Sequence, residues 1–136
     1  MTIVDTTPLV ALCDARDPLH SRALKDLDGS ARPPLVVGQP VLTEACFLLS
    51  SPGLRRRLDR VLSDLDFEPL PTADERRWWT DALSWLDRYH EHEPDLADGW
   101  RAVAASRYRS ARVWTYDSEF STTWRRLDGG RIPLVG

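Results

Sequence analysis

Four carboxylates, Asp5, Glu44, Asp98 and Asp117, stand at the ends or in the middle of apolar segments of this chain. Asp5 closes the strand-like run Thr2-Ile3-Val4, and Asp117 follows Arg112-Val113-Trp114-Thr115-Tyr116. Glu44 lies inside the apolar helical pattern Val41 to Leu49, and Asp98 interrupts Leu96-Ala97-Asp98-Gly99-Trp100. An ionised carboxylate in apolar surroundings must be paired, neutralised or bound to a cation. No basic partner stands out within sequence reach, so the four acids are expected to share a hard divalent ion. Oxygen-only donors suit Mg²⁺ or Mn²⁺. Such an ion polarises a phosphoryl oxygen and supplies hydroxide for in-line attack on a phosphodiester.

The four positions carry different weight. On a helical wheel Glu44 has Pro40, Val41, Phe47 and Leu48 at three and four positions, all apolar. Two readings stay open for it: a metal or catalytic role, or a structural pair with a distant Arg. Asp98 lies opposite the stripe Leu96, Trp100, Val103 and Ala104, over the small residues Ala102 and Ala105. Asp95, three positions earlier, reads either as a helix N-cap or as a further acid of the site.

The elements that must hold these groups alternate along the chain. Residues 2–5 and Leu35-Val36-Val37 have the pattern of buried strands, Phe67–Leu70 that of a third and Arg112–Thr115 that of a fourth, with Ile132–Val135 a candidate fifth. Helical patterns fill the intervals. One is opened by Thr7 as N-cap with Pro8 in its first turn, and the next runs over about 18–27. A third starts at Pro40 and carries Glu44, a fourth spans Leu54–Leu65, a fifth runs from a Thr72 cap to about Tyr89, and a sixth covers about 95–108. Strands alternating with helices imply a mainly parallel sheet of four to five strands covered on both faces. In such sheets functional groups gather beyond the carboxyl ends of the strands, where Asp5 and Asp117 fall.

Composition narrows the class. At 136 residues and 42% hydrophobic content the chain suits one domain over 1–136 with a real core, and a net charge of −3 gives no global field for nucleic acid. Of 18 basic residues only Lys25 is lysine. Arg contacts phosphate bidentately and stacks on bases, though codon usage explains the bias as well. Arg55-Arg56-Arg57 and Arg76-Arg77 read first as solvated helix faces and second as RNA contacts. Cys13 and Cys46 read as small buried hydrophobes in a reducing compartment. No signal peptide or membrane span is evident, so a cytoplasmic location is expected. Trp78, Trp85 and Tyr89 share a helical face with Ala82 and Leu86, which points to core or interface packing ahead of base stacking. His90 and His92 lack a third ligand at zinc spacing.

These residues also carry a resemblance. The chain is similar to the PIN-domain ribonucleases, and within them to the VapC-type toxins of bacterial toxin–antitoxin pairs. The match runs through Val4-Asp5-Thr6-Thr7-Pro8-Leu9, Asp17-Pro18-Leu19-His20, Thr43-Glu44, Asp95-Leu96-Ala97-Asp98 with Ala102, Ala104 and Ala105, and Thr115-Tyr116-Asp117 with Phe120. Gly99-Trp100 departs from it, since small or aliphatic residues are commoner there. The resemblance implies a three-layer α/β/α fold and an endoribonuclease dependent on Mg²⁺ or Mn²⁺, acting on RNA. It also implies a homodimer restrained by a cognate antitoxin protein. It makes Asp5, Glu44, Asp98 and Asp117 the acidic quartet, with Thr6 and Thr115 as secondary polar groups. In the enzymatic reading Asp5, Asp98 and Asp117 hold the metal, and Glu44 completes the site or orients the water.

Other classes fit less well. A haloacid-dehalogenase phosphatase wants an Asp at position 7, where Thr7 stands, and a receiver domain wants a late Lys, whereas Lys25 comes early. The remaining alternative is a PIN-fold binding module without catalysis.

Overall fold

The computed structural model describes residues 1–136. Its frame is a four-stranded, wholly parallel sheet: β1 (Thr2–Val4), β2 (Leu35–Val37), β3 (Glu68–Pro69) and β4 (Arg112–Trp114), in the order β3-β2-β1-β4. The chain builds leftward from β1 through β2 and β3, then returns to the other flank of β1 with β4. The direction of winding therefore reverses between β1 and β4, and a crevice opens there at the carboxyl edge. Asp5 leaves the end of β1, while Thr115 and Asp117 leave the end of β4.

Strand alternation sorts the core into two layers, since successive side chains point to opposite faces. Ile3, Val36 and Val113 face one cluster with Trp78, Trp85, Trp100, Val103 and Trp124. Val4, Leu35, Val37 and Trp114 face the other, with Leu9, Leu12, Val41, Leu49 and Leu58. The first layer is covered by α5 (Glu75–Arg88) and α6 (Leu96–Arg107); the second by α1 (Thr6–Cys13), α2 (His20–Gly29), α3 (Gln39–Leu48) and α4 (Pro52–Asp64). A short α7 (Glu119–Thr122) follows β4. This is the expected three-layer α/β/α arrangement.

Several boundaries differ from the sequence reading, each for a physical reason. Asp5, not Thr7, caps α1: its carboxylate accepts the Thr6 N–H. Helix α5 is capped by Asp74, which sits in the left-handed region at φ 53° and accepts the Arg77 N–H, rather than by Thr72. The segment 132–135 forms no fifth strand. Pro133 has no N–H to give a ladder, and only a single parallel bridge joins Val113 to Leu134. No helix is long and apolar enough to cross a membrane.

Trp78, Trp85, Trp100, Trp114 and Trp124 are buried. The Trp78/Trp85 face is therefore core, and Trp79 on its flank is the one left half-exposed. Trp100 is accommodated because position 38 is glycine: a Cβ there would lie 3.0 Å from the Trp100 ring. Gly99 plays the matching part on the other side, where a Cβ would meet the Ala82 carbonyl at 3.1 Å. The Gly99-Trp100 pair thus lets α6 press against both α5 and the start of α3.

Cys13 is buried as expected, but Cys46 is exposed on α3. Burial pushes the Cys13 thiol up to about 11, so little thiolate forms at neutral pH. A thiol reagent at pH 7.5 is expected to modify one cysteine quickly, mapping to Cys46, and to reach Cys13 only on unfolding.

Candidate active site

The site grows from the two strand ends outward. Asp5 is buried, and every carboxylate contact it makes is local to the crevice. Oδ1 accepts the Thr6 N–H, Oδ2 accepts the Thr115 hydroxyl at 2.5 Å, and Oδ1 lies 2.7 Å from Nη1 of Arg101. Thr115 Oγ1 in turn accepts the Asp117 N–H at 3.0 Å, so one threonine ties the β1 and β4 ends together. The Asp117 carboxylate accepts the N–H of Glu119, the first residue of α7, at 3.0 Å.

Asp98 comes to the crevice from α6. It shares a reciprocal capping box with Asp95: the Asp95 carboxylate takes the Asp98 N–H at 2.8 Å, and Asp98 Oδ2 takes the Asp95 N–H at 3.0 Å. Asp95 is therefore the N-cap of α6, as one of its two readings held. The other oxygen, Asp98 Oδ1, accepts from Arg101 Nη2 at 2.7 Å. Residues Ala97 to Ala105 are all buried, so α6 runs through the interior with no polar face, and Leu96, assigned to its apolar stripe, is 43% exposed.

Arg101 was missed, and it corrects the expectation that the acids lack a basic partner in sequence reach. It lies three positions after Asp98, is 4% exposed, and places its guanidinium between Asp5 and Asp98. The ring of Phe120 lies 5.0 Å from its Cζ. The Glu44 carboxyl, raised first by its own burial, also feels Asp95, Arg101, Thr6 and Asp5. The signal was present as an (i, i+3) acid–base pair in a run of otherwise small and apolar residues. Glu119 was missed as well; its Oε2 is buried without a hydrogen-bond partner, beside Phe120.

Two of the four expected acids, Asp5 and Asp98, thus flank one buried guanidinium, and the Glu44 carboxyl feels its charge without pairing with it. Asp117 stands one hydrogen-bonded step away, through Thr115. The Thr6 hydroxyl is buried and pulls the Glu44 carboxyl down. The donor chemistry is that of a hard cation, but the site as it stands does not fit one. Arg101 takes the place between Asp5 and Asp98, and no three Asp, Glu, His or Cys side chains converge to ligate an ion.

Burial drives the electrostatics. It raises the Asp98 carboxyl to about 7 against the opposing pull of Arg101, and it raises Glu44, helped by Asp95. The sign for stability follows from linkage. Between the ordinary carboxylate range and about 7, native Asp98 keeps a proton that the unfolded chain has released. Rising pH therefore costs stability across that window, and the loss is complete above it. Urea unfolding at pH 5 and pH 8 should show the wild type losing more stability than Asp98→Asn; equal losses would contradict the shifted carboxyl.

A groove of about 800 Å³ opens beside the acids, with Glu44 and Asp95 on its wall. Phe47, Trp79, Leu83 and Leu96 present exposed apolar surface there. No Lys or Arg lines it.

No protein-family model matches the chain. It is 27% identical over 142 residues to ribonuclease VapC26 of Mycobacterium tuberculosis, covering 98% of both proteins. Its fold superposes on the crystal structure of Mycobacterium tuberculosis VapC20, a sarcin–ricin-loop-cleaving toxin, with a TM-score of 0.70 at 24% identity over the full length of both chains.

Proposed function

We infer that this chain is a VapC-type ribonuclease of the PIN-domain family, an endoribonuclease that hydrolyses RNA phosphodiesters as the toxin of a type II toxin–antitoxin pair. The observation that carries the reading is the convergence of Asp5 from β1 and Asp98 from α6 at the carboxyl edge where β1 and β4 diverge. Full-length similarity to a ribonuclease supports it. Residues 1–136 act as one nuclease domain.

Asp98, raised to about 7, is matched to moving a proton at neutral pH. Asp5 is positioned by the Thr6 amide and the Thr115 hydroxyl, and Thr115 keeps Asp117 in register with it. Glu44 stands where the groove meets the site. VapC ribonucleases generally need a divalent cation, and Mg²⁺ and Mn²⁺ are the ions to supply.

The apolar groove suits a protein better than an RNA strand. Phosphate contacts call for Lys or Arg, and its charged lining is Glu44, Glu75 and Asp95. A cognate antitoxin with apolar and basic side chains would complement it, and the exposed face around Phe47 and Leu83 is where homodimer contacts are also to be sought.

One observation favours a second reading, a PIN-fold binding module without catalysis: Arg101 already satisfies two of the acids. Induced expression in a bacterial host separates the two. The toxin reading expects growth arrest with discrete RNA fragments, relieved by Asp98→Asn. Soluble protein with normal growth and intact RNA would establish the silent module. The sarcin–ricin hairpin that VapC20 cleaves is the first defined substrate to try.

A further inference from the structure

The acids at the crevice repel a phosphodiester, so an RNA strand beside them needs a cation of its own to hold its backbone. Arg101 does not serve: it is 4% exposed and engaged by Asp5 and Asp98. The apolar groove on the β2 side, where Gln39 opens α3, has no Lys or Arg in its lining. The β4 side differs. There Tyr116 stands between Thr115 and Asp117, and its N–H donates to Thr7 Oγ1 in the first turn of α1 at 3.0 Å.

Three contacts fix the Tyr116 side chain. Its hydroxyl donates to Asp26 Oδ2 at 2.7 Å and accepts from Trp114 Nε1 at 3.2 Å, and Arg22 Cζ lies 4.6 Å from the ring centre. Burial and the Asp26 bond push the phenol up to about 12, so it stays a donor at neutral pH. Asp26 is thereby occupied. Arg22 Nε stands 3.9 Å from its carboxylate, too far for a hydrogen bond. The Arg22 side chain is 65% exposed. A guanidinium is thus held over an aromatic face, beside the residue that precedes Asp117, with donors left for a ligand.

We propose that Arg22, seated on the Tyr116 ring, positions the RNA by binding a backbone phosphate that flanks the scissile one. The strand then runs along α2 and the β4 end, and not along the apolar groove. The inference deepens the reading of Asp5 and Asp98 as a nuclease site and rests on it. A guanidinium pairs bidentately with phosphate. Seating on the ring pre-organises it, which lowers the ordering cost of the contact.

Arg22→Gln removes the charge and the fork, while Arg22→Lys keeps the charge alone. Arg109→Gln makes the same change of net charge at an exposed position that precedes β4, at the sheet edge away from Asp117. Binding is read by the anisotropy of a labelled sarcin–ricin hairpin RNA in EDTA over a salt series. Arg22→Gln should weaken it roughly tenfold and lower the slope of log affinity against log salt by roughly 0.7–0.9. Arg22→Lys should recover the slope and part of the affinity, and Arg109→Gln should match the wild type. With Mg²⁺ and total bacterial RNA, Arg22→Gln should cut more slowly at limiting RNA and keep its rate at saturating RNA.

A merely structural arginine predicts a lower urea midpoint with the salt slope unmoved. Wild-type affinity and slope in folded Arg22→Gln would overturn the proposal. The wild type keeps the two ideas apart. If it cuts RNA while Arg22→Gln binds and cuts alike, the nuclease stands without this contact. RNA held through Arg22 but never cut keeps the contact and removes the nuclease. Neither binding nor cleavage overturns both.

Discussion

Asp5→Asn is expected to lower RNA cleavage by about 10²–10⁴-fold, the range spanned by loss of a positioned proton-transfer or charge-bearing group. The amide keeps the shape of the side chain, and its carbonyl oxygen can still accept the Thr6 amide or the Thr115 hydroxyl. It removes the negative charge that faces Arg101 at 2.7 Å. A buried guanidinium then has Asp98 as its one direct ion-pair partner. Breaking a buried pair typically costs about 3–5 kcal/mol, and Asp98 should hold the loss toward the lower end. The variant is thus expected to fold, with a lower urea midpoint and an unchanged slope. Cleavage equal to wild type in a folded Asp5→Asn would remove Asp5 from the chemistry.

Trp85→Ala is expected to have the largest effect on stability. The ring is fully buried, packs against Tyr89 and Trp124 at centroid distances of 4.7 and 5.1 Å, and donates from Nε1 to the Arg125 carbonyl at 2.8 Å. Truncating a buried Trp to Ala costs about 3–5 kcal/mol, and the orphaned carbonyl adds about 1 kcal/mol or more. Against a total of about 5–15 kcal/mol for a domain, this is enough to unfold a sizeable fraction at 37 °C. Because α5 backs α6, which carries Asp98 and Arg101, activity should fall in step with the folded fraction. Trp85→Phe, which keeps most of the packing, should lose far less. A urea midpoint unchanged in Trp85→Ala would show that this cluster is not where the core is held.

The candidate site was legible in part because its acids break apolar patterns, at a strand end or within a helix, where burial makes a charge expensive. Asp5 and Glu44 stand out for that reason, and the βα alternation gives the sheet edge at which Asp5 and, through Thr115, Asp117 lie. Asp98 was harder to place. Its helix is buried on every side between Ala97 and Ala105, so no amphipathic face marks which residues point inward, and Leu96 misleads by looking like core. Arg101 was overlooked for the same reason. In a helix with no solvent face an arginine must be paired, and its partner Asp98, three residues back, also suits a metal by type, so the sequence alone does not tell the two apart. Local competition accounts for the misplaced caps: Asp5 accepts the Thr6 N–H and starts α1 ahead of Thr7, and Asp74 accepts the Arg77 N–H and starts α5 after Thr72. The C-terminal segment had strand-like residues, but Pro133 interrupts the ladder they would have joined. Cys46 sits in an apolar run yet faces out beside Phe47 and Leu48, the exposed part of α3. That face has no partner within one copy of the chain.

The most direct measurement is cleavage of total bacterial RNA by the purified chain, with Mg²⁺, with Mn²⁺ and with EDTA, beside folded Asp98→Asn. Discrete fragments from the wild type, formed with a divalent ion and lost in Asp98→Asn, are the predicted result. Intact RNA under every condition, from folded wild-type protein that still binds Mn²⁺, would contradict the endoribonuclease assignment.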